Sequence, residues 1–115
     1  MLVLVKTDNH IEGSEELIRR VETEVGDTLG RFGEQITRVE VYLNDLNSHK
    51  SGVDKRCLME ARIAGRPLVA VSHEADSLEE AITAAAEKLE RLLNHTFDRL
   101  GDHKGRTSYG GDQVI

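Results

Sequence analysis

The sequence has no tryptophan, one cysteine and one proline. With Cys57 alone, an intramolecular disulfide is excluded and a thiolate metal cluster within one chain has no support. Aromatic residues amount to 3%, namely Phe32, Phe97, Tyr42 and Tyr109. The core therefore has to come from Leu, Ile, Val, Ala and Met. No apolar run approaches the roughly 18 residues that a membrane-crossing helix requires. The opening MLVLVKTDNH has no basic residues ahead of its short apolar run, so it does not read as a signal peptide. The expectation is a soluble, cytoplasmic protein without membrane contact. A glycine-rich phosphate loop is missing too, because Gly26, Gly30 and Gly33 lie in or at the end of a helical pattern at the wrong spacing. So is a serine nucleophile in a strand-turn-helix elbow.

What remains is enough for one small domain. The chain has 115 residues, 38% of them hydrophobic and 31% charged, which suits a single cored unit better than two. The charge total is 15 basic against 21 acidic residues, a formal net of -6. That total predicts no long-range pull on nucleic acid. Its distribution is uneven: residues 1–34 carry 4 basic and 8 acidic groups, residues 35–66 carry 6 and 4, residues 67–87 carry 0 and 5, and residues 88–115 carry 5 and 4. Positive character is local, and a partner that feels it has to come close.

Hydrophobic periodicity divides the chain into six elements. Leu2 to Thr7 is rich in β-branched residues and ends at Asp8-Asn9, which predicts a strand and a turn. Ser14 is placed to cap a helix whose first turn carries Glu15 and Glu16. Leu17, Ile18, Val21, Val25, Thr28, Leu29 and Phe32 then recur at helical spacing as a buried stripe, with Arg19, Thr23, Gly26 and Gly30 opposite and Gly33 as the stop. In the strand from Ile36 to Leu43, Val39, Val41 and Leu43 alternate with Arg38, Glu40 and Tyr42. A polar loop, residues 44–54, leads to a hairpin. Its first strand, Lys55 to Ile63, puts Cys57, Met59, Ala61 and Ile63 on one face, and Arg56, Leu58, Glu60 and Arg62 on the other. Gly65-Arg66-Pro67 turns the chain into Leu68 to Ser72. The second helix starts with a cap at Asp76 or Ser77. Its stripe is Leu78, Ile82, Ala85, Leu89, Leu92, Leu93 and Leu100, with Ala81, Ala86 and Thr96 beside it, and it stops at Gly101. The order β-α-β-β-β-α predicts an α+β fold: a four-stranded sheet with both helices on one face. If the first two strands are neighbours, the crossover makes them parallel, and the later strands antiparallel. The domain is read as residues 1–100, and the glycine-rich residues 101–115 as a flexible tail.

Candidate chemistry is sparse. Cys57 falls mid-strand on the buried face, where a thiol is inert. His95, Asp98 and Asp102 share a helix face, an arrangement more often solvated than metal-binding, and no metal is expected. Glu79, Glu80, Glu87 and Glu90 read as exposed charges, not as a buried acid/base pair. One pattern stands out. Lys88, Arg91, His95 and Arg99 fall within about 80° of arc on the second helix, beside its apolar stripe. His103, Lys104 and Arg106 prolong that character, and Arg20 and Arg31 lie on one side of the first helix. A groove lined by such residues from adjacent helices suits a phosphate backbone. The bland reading is a salt-bridge-laced face, with Glu87 and Arg91 as an i,i+4 pair. With Tyr42 the one aromatic residue on the wet sheet face, recognition of folded RNA by shape and phosphate fits better than base stacking.

The segments TDNHIEG, ITRVEVYLNDLNS and DKRCLMEARIAGRPLVAVSHEADSLEEAITAAAEKLERLLNHTFDRL, in that order and spacing, resemble the short ribosome hibernation-promoting factors. These are also called ribosome-associated inhibitor or sigma-54 modulation proteins, and the resemblance covers roughly residues 2–104. It implies a β-α-β-β-β-α fold similar to a double-stranded RNA-binding domain. It further implies a non-enzymatic factor without cofactor that binds the small ribosomal subunit and its rRNA and inhibits translation under stress or in stationary phase. By position, the RNA-contacting role falls on Arg20, Lys88, Arg91, His95, Arg99 and Lys104.

The chain departs from the family's pattern on the first helix, whose exposed side carries Glu15, Glu16, Glu22, Glu24 and Asp27 where typical members carry more lysine and arginine. The alternative is therefore a divergent protein-interaction or regulatory module that has lost strong ribosome binding. It would meet a protein partner through the wet sheet face, where Arg38, Tyr42, Leu58 and Arg62 gather, or self-associate through the sheet, for example along an edge such as Leu68 to Ser72.

Overall fold

A computed structural model describes residues 1–46 and 54–105, with the backbone alone from residue 99 onward. The elements are β1 (Leu2–Thr7), α1 (Glu15–Leu29), a short 3-10 segment (Gly30–Gln35), β2 (Ile36–Asp45), β3 (Lys55–Ile63), β4 (Val69–Ala75) and α2 (Leu78–Gly105). The strands form one sheet in the order β1-β2-β3-β4. β1 runs parallel to β2, and the β2–β3 and β3–β4 pairs are antiparallel. The expected α+β architecture is thus observed. α1 packs on β1, α2 packs on β3 and β4, and the two helices touch each other.

The core lies between the sheet and the helices. Val21, Val25 and Leu29 of α1 are fully buried, as are Val39, Val41 and Leu43 of β2, Cys57, Met59 and Ala61 of β3, and Ala81, Ala85, Ala86, Leu89 and Leu93 of α2. On α2 the small residues Ala81 and Ala86 prove as deeply buried as the leucines, whereas Leu92 is only half-buried. Short side chains there let the helix lie close to its neighbours. Phe32 stacks on Phe97 with ring centroids 5.3 Å apart, joining the 3-10 segment to the later half of α2.

Local chemistry accounts for the boundaries, with four departures from expectation. Ser14 caps α1 by accepting from Leu17 N at 3.1 Å, and Ser77, not Asp76, caps α2 by accepting from Glu80 N at 3.1 Å. The regular part of α1 ends at Leu29, ahead of Gly33. The tighter 3-10 segment follows, and Gly33 breaks it at φ 60°, a left-handed geometry that glycine adopts without a Cβ penalty. The β3–β4 turn closes earlier than expected, with Arg66 N donating to Ile63 O at 3.1 Å and Gly65 at φ 70°. β4 runs on to Ala75, so His73 and Glu74 are strand residues. Finally, α2 passes through Gly101 and reaches Gly105. Glycine in a helix interior costs about 1 kcal/mol but does not terminate it. Residues 106–115 of the expected tail, and most of the expected 44–54 loop, lie outside the described residues.

A bulge decides the register of β2. Ile36 and Val39 are both fully buried although three residues apart, a spacing that puts side chains on opposite faces of a regular strand. The register shift between Ile36 and Arg38 absorbs Thr37, whose hydroxyl donates to Arg62 O at 3.1 Å. Beyond it, Arg38, Glu40 and Tyr42 all lie on the helix-free face.

Candidate nucleic-acid interface

The motif that opens the chain is structural. Asp8 follows β1, and its carboxylate accepts from His10 N at 2.9 Å and from Asp45 N at 2.8 Å. Its own N–H donates to Leu43 O at 3.2 Å, extending the β1–β2 ladder. Burial works against ionisation of this carboxyl, but the amides of Asp45 and His10 outweigh it and hold it below the usual carboxylate range. Cys57 is sealed in the core, and burial pushes its thiol up to about 12. A neutral thiol of that kind is a poor nucleophile and a poor metal ligand. No group of three His, Cys, Asp or Glu among the described residues is placed to hold a metal ion. Asp102, part of the trio with His95 and Asp98, lies where only the backbone is described.

The basic residues of the helical side fall into two sets. Those near the α1–α2 junction are paired: Arg20 Nη1 lies 3.0 Å from Glu79 Oε2, and Arg31 Nε lies 3.5 Å from Glu90 Oε2. Arg31 also donates to Asn94 Oδ1 and lies over the Phe32 ring, 4.5 Å from its centroid. From the first bridge to the second, both partners advance by the same number of residues, so the helices run side by side in the same direction. The other set lies on the flank of α2 toward β4. Lys88 Nζ donates to Ser72 O on the edge strand at 3.0 Å, which fixes the direction of that flank. Arg91 and His95 follow at the next turns and are exposed. Among the described residues neither makes an ion pair. The i,i+4 pair expected between Glu87 and Arg91 is not formed.

The structure therefore brings Lys88, Arg91 and His95 together and separates them from Arg20, which lies across α2 on the α1 side. The two-helix groove of mixed Arg and Lys is not assembled from these residues. Arg99 and Lys104 continue α2. At about 100° per residue, position 99 stays in phase with Lys88, and position 104 lies about 160° around the axis from it. Sequence reasoning passed over Arg19, which is exposed and without an ion pair among the described residues. Its place opposite the buried stripe was visible in the sequence.

The helix-free face is chemically different. Glu40 sits at its centre, accepting from Tyr42 Oη at 2.5 Å and lying 3.3 Å from Lys6 Nζ and 3.0 Å from Arg38 Nε. The hydrogen bond from Tyr42, then that from Lys6, lowers the Glu40 carboxyl, and the same contact with Glu40 raises Tyr42. Lys6 Nζ also lies 5.2 Å from the Tyr42 ring centroid. Tyr42 is thus engaged on its edge and on its face, and does not offer a free stacking platform.

The profile of the family described as sigma 54 modulation protein / S30EA ribosomal protein matches residues 4–101. No curated protein matches the sequence with significance. Among solved structures, the fold is similar to the Thermus thermophilus Protein Y N-terminal domain, with a TM-score of 0.68 and 20% identity over 84% of this chain and 99% of that one. It is also similar to a ribosomal subunit interface protein from Coxiella burnetii, with a TM-score of 0.71 and 14% identity over 85% of this chain and 99% of that one.

Proposed function

The chain belongs to the sigma 54 modulation protein / S30EA ribosomal protein family, and from that premise we propose that it binds the small ribosomal subunit through rRNA phosphates and inhibits translation under stress or in stationary phase. The observation that carries the reading is the β4 flank of α2. Among the described residues, Arg91 and His95 are exposed there without carboxylate partners, next to Lys88 and in phase with position 99. Basic side chains without an internal counterion are what a phosphate backbone requires, since no carboxylate has to be displaced. On this reading the protein is a binding factor without catalytic step or cofactor, and it acts in the cytoplasm, where ribosomes are. No described helix is long and apolar enough to cross a membrane.

The net charge of -6 does not oppose this. At physiological ionic strength charges are screened beyond about 8 Å, so a phosphate on the α2 flank feels mainly the cations beside it. The engagement of Tyr42 with Glu40 and Lys6 favours recognition of folded RNA by shape and phosphate over base stacking. Co-sedimentation of the protein with isolated small subunits and whole ribosomes, at low and at physiological salt, tests the proposal. Saturable binding that weakens with salt is expected. Absence of binding even at low salt removes the ribosome and leaves the fold to a protein partner.

A further inference from the structure

The helix-free face of the sheet carries a charge pattern that the ribosome reading does not use. Arg38 stands directly across from Arg62, and Glu40 directly across from Glu60, in successive rows of the β2–β3 pair. Like charges directly opposite each other on one face destabilise a sheet. Within β2 the cost is relieved along the strand by the Arg38–Glu40 bridge at 3.0 Å. On β3 it is not: among the described residues, Arg62 and Glu60 make no ion pair. The rows end in apolar residues. Leu2 pairs with Arg38 and Leu4 with Glu40 at the β1 edge, and Glu60 pairs with Ala70 at the β4 edge. Leu68, one residue before β4, is in phase with Ala70. Leu2 and Leu68 are among the few exposed large hydrophobic residues, at 55% and 46%.

From the juxtaposition of a positive row and a negative row, each flanked by apolar residues, we propose that this face binds a second copy of the chain. A two-fold axis lying in the face, perpendicular to the strands and midway between the rows, makes the surface complementary to itself. It sets Arg62 against the partner's Glu60 and Glu60 against the partner's Arg62. The same operation sets Arg38 against the partner's Glu40, and Leu2 against the partner's Leu4. An isologous contact of this kind closes at two copies and cannot propagate. Strand spacings give the matched rows an area on the order of 300 Å² per copy, well under the ~800 Å² per partner of a standard interface. The dimer is therefore weak and concentration-dependent. It is independent of ribosome binding, which uses the other side of the molecule.

The test is sedimentation equilibrium up to millimolar protein at low salt, on wild type, Arg62→Glu and Glu60→Arg. Wild type self-associates, and each single variant weakens that association about tenfold or more. An equimolar mixture of the two variants recovers it, because opposite charges then meet in both places. The double variant carrying both substitutions in one chain self-associates as wild type does. That arm holds even if one single variant is poorly folded by circular dichroism. Wild type that stays monomeric throughout overturns the proposal. So does self-association indifferent to the single substitutions, which places the contact elsewhere, for instance on the β4 edge. A mixture that fails to recover association overturns it as well. Ribosome co-sedimentation of Arg62→Glu remains at the wild-type level, so loss of the dimer and loss of the ribosome reading are separate results.

Discussion

The two sides of α2 meet basic residues in opposite circumstances. Toward α1, Arg20 and Arg31 are held by Glu79 and Glu90, both on α2 itself. Toward β4, Arg91 and His95 have no carboxylate partner among the described residues, and Lys88 is held only by the Ser72 carbonyl. A neutral carbonyl competes with phosphate far less than a carboxylate does. The difference teaches that a basic residue count is a poor guide to a phosphate site. What matters is which cations the fold has already neutralised.

The comparison rests on α2 being held in place, and Leu89, fully buried at its centre, is the residue to remove. Leu89→Ala is expected to cost about 3 kcal/mol, from reduced burial plus the cavity left behind. Urea unfolding checks this, and a loss below about 1 kcal/mol would mean that α2 is not anchored there. The next largest effect comes from attacking the open flank directly. Arg91→Glu combined with His95→Glu lowers ribosome affinity about 100-fold, leaves helical circular dichroism unchanged, and flattens the log–log salt dependence by roughly 0.7–0.9 for each phosphate no longer neutralised. Unchanged binding with unchanged fold would take the flank out of the interface.

The closed flank gives a smaller effect of opposite sign. Glu79→Gln with Glu90→Gln releases Arg20 and Arg31, and ribosome affinity rises several-fold. The Arg20–Glu79 bridge is exposed and the Arg31–Glu90 bridge only partly covered at Glu90, so stability changes by about 1 kcal/mol or less. Affinity that falls instead would show that the acids position the arginines for the ribosome. The smallest effect separates fold chemistry from flank chemistry. The Asp8 carboxyl is lower in the fold than in the unfolded chain. The stability it contributes is therefore present above the unfolded value of about 3.9 and is lost as pH falls through the folded value. Asp8→Asn costs about 1 kcal/mol at neutral pH. The gap between variant and wild type closes on acidification through that window, while ribosome binding at neutral pH is untouched.

Much of the fold was legible before any coordinate. The bounds of β1, the Ser14 cap, the Val21–Val25–Leu29 stripe and the buried alternation of β3 all follow from spacing and agree with the structure. The bulge at Thr37 was not legible, because an inserted residue leaves the composition of a strand unchanged and shifts only its phase. Nor was the run of α2 through Gly101, where helix propagation outweighs the local penalty. For the candidate site, the row Lys88, Arg91, His95 was visible as a helical phase. Its separation from Arg20 was not, since helical phase says nothing about which neighbour lies on which side.

The sequence by itself determined the elements and their buried faces, because a hydrophobic period of 2 or 3.6 is a property of consecutive residues and needs no partner to be read. Only the tertiary structure decided the charges. Local spacing offered Glu87 to Arg91, and that pair does not form. Arg20 turns to Glu79 and Arg31 to Glu90, residues far away along the chain and brought near by the packing of α1 beside α2. An ion pair depends on distance through space and on where each side chain can reach. Which cations stay open to a phosphate is therefore settled when the two helices dock, and not before.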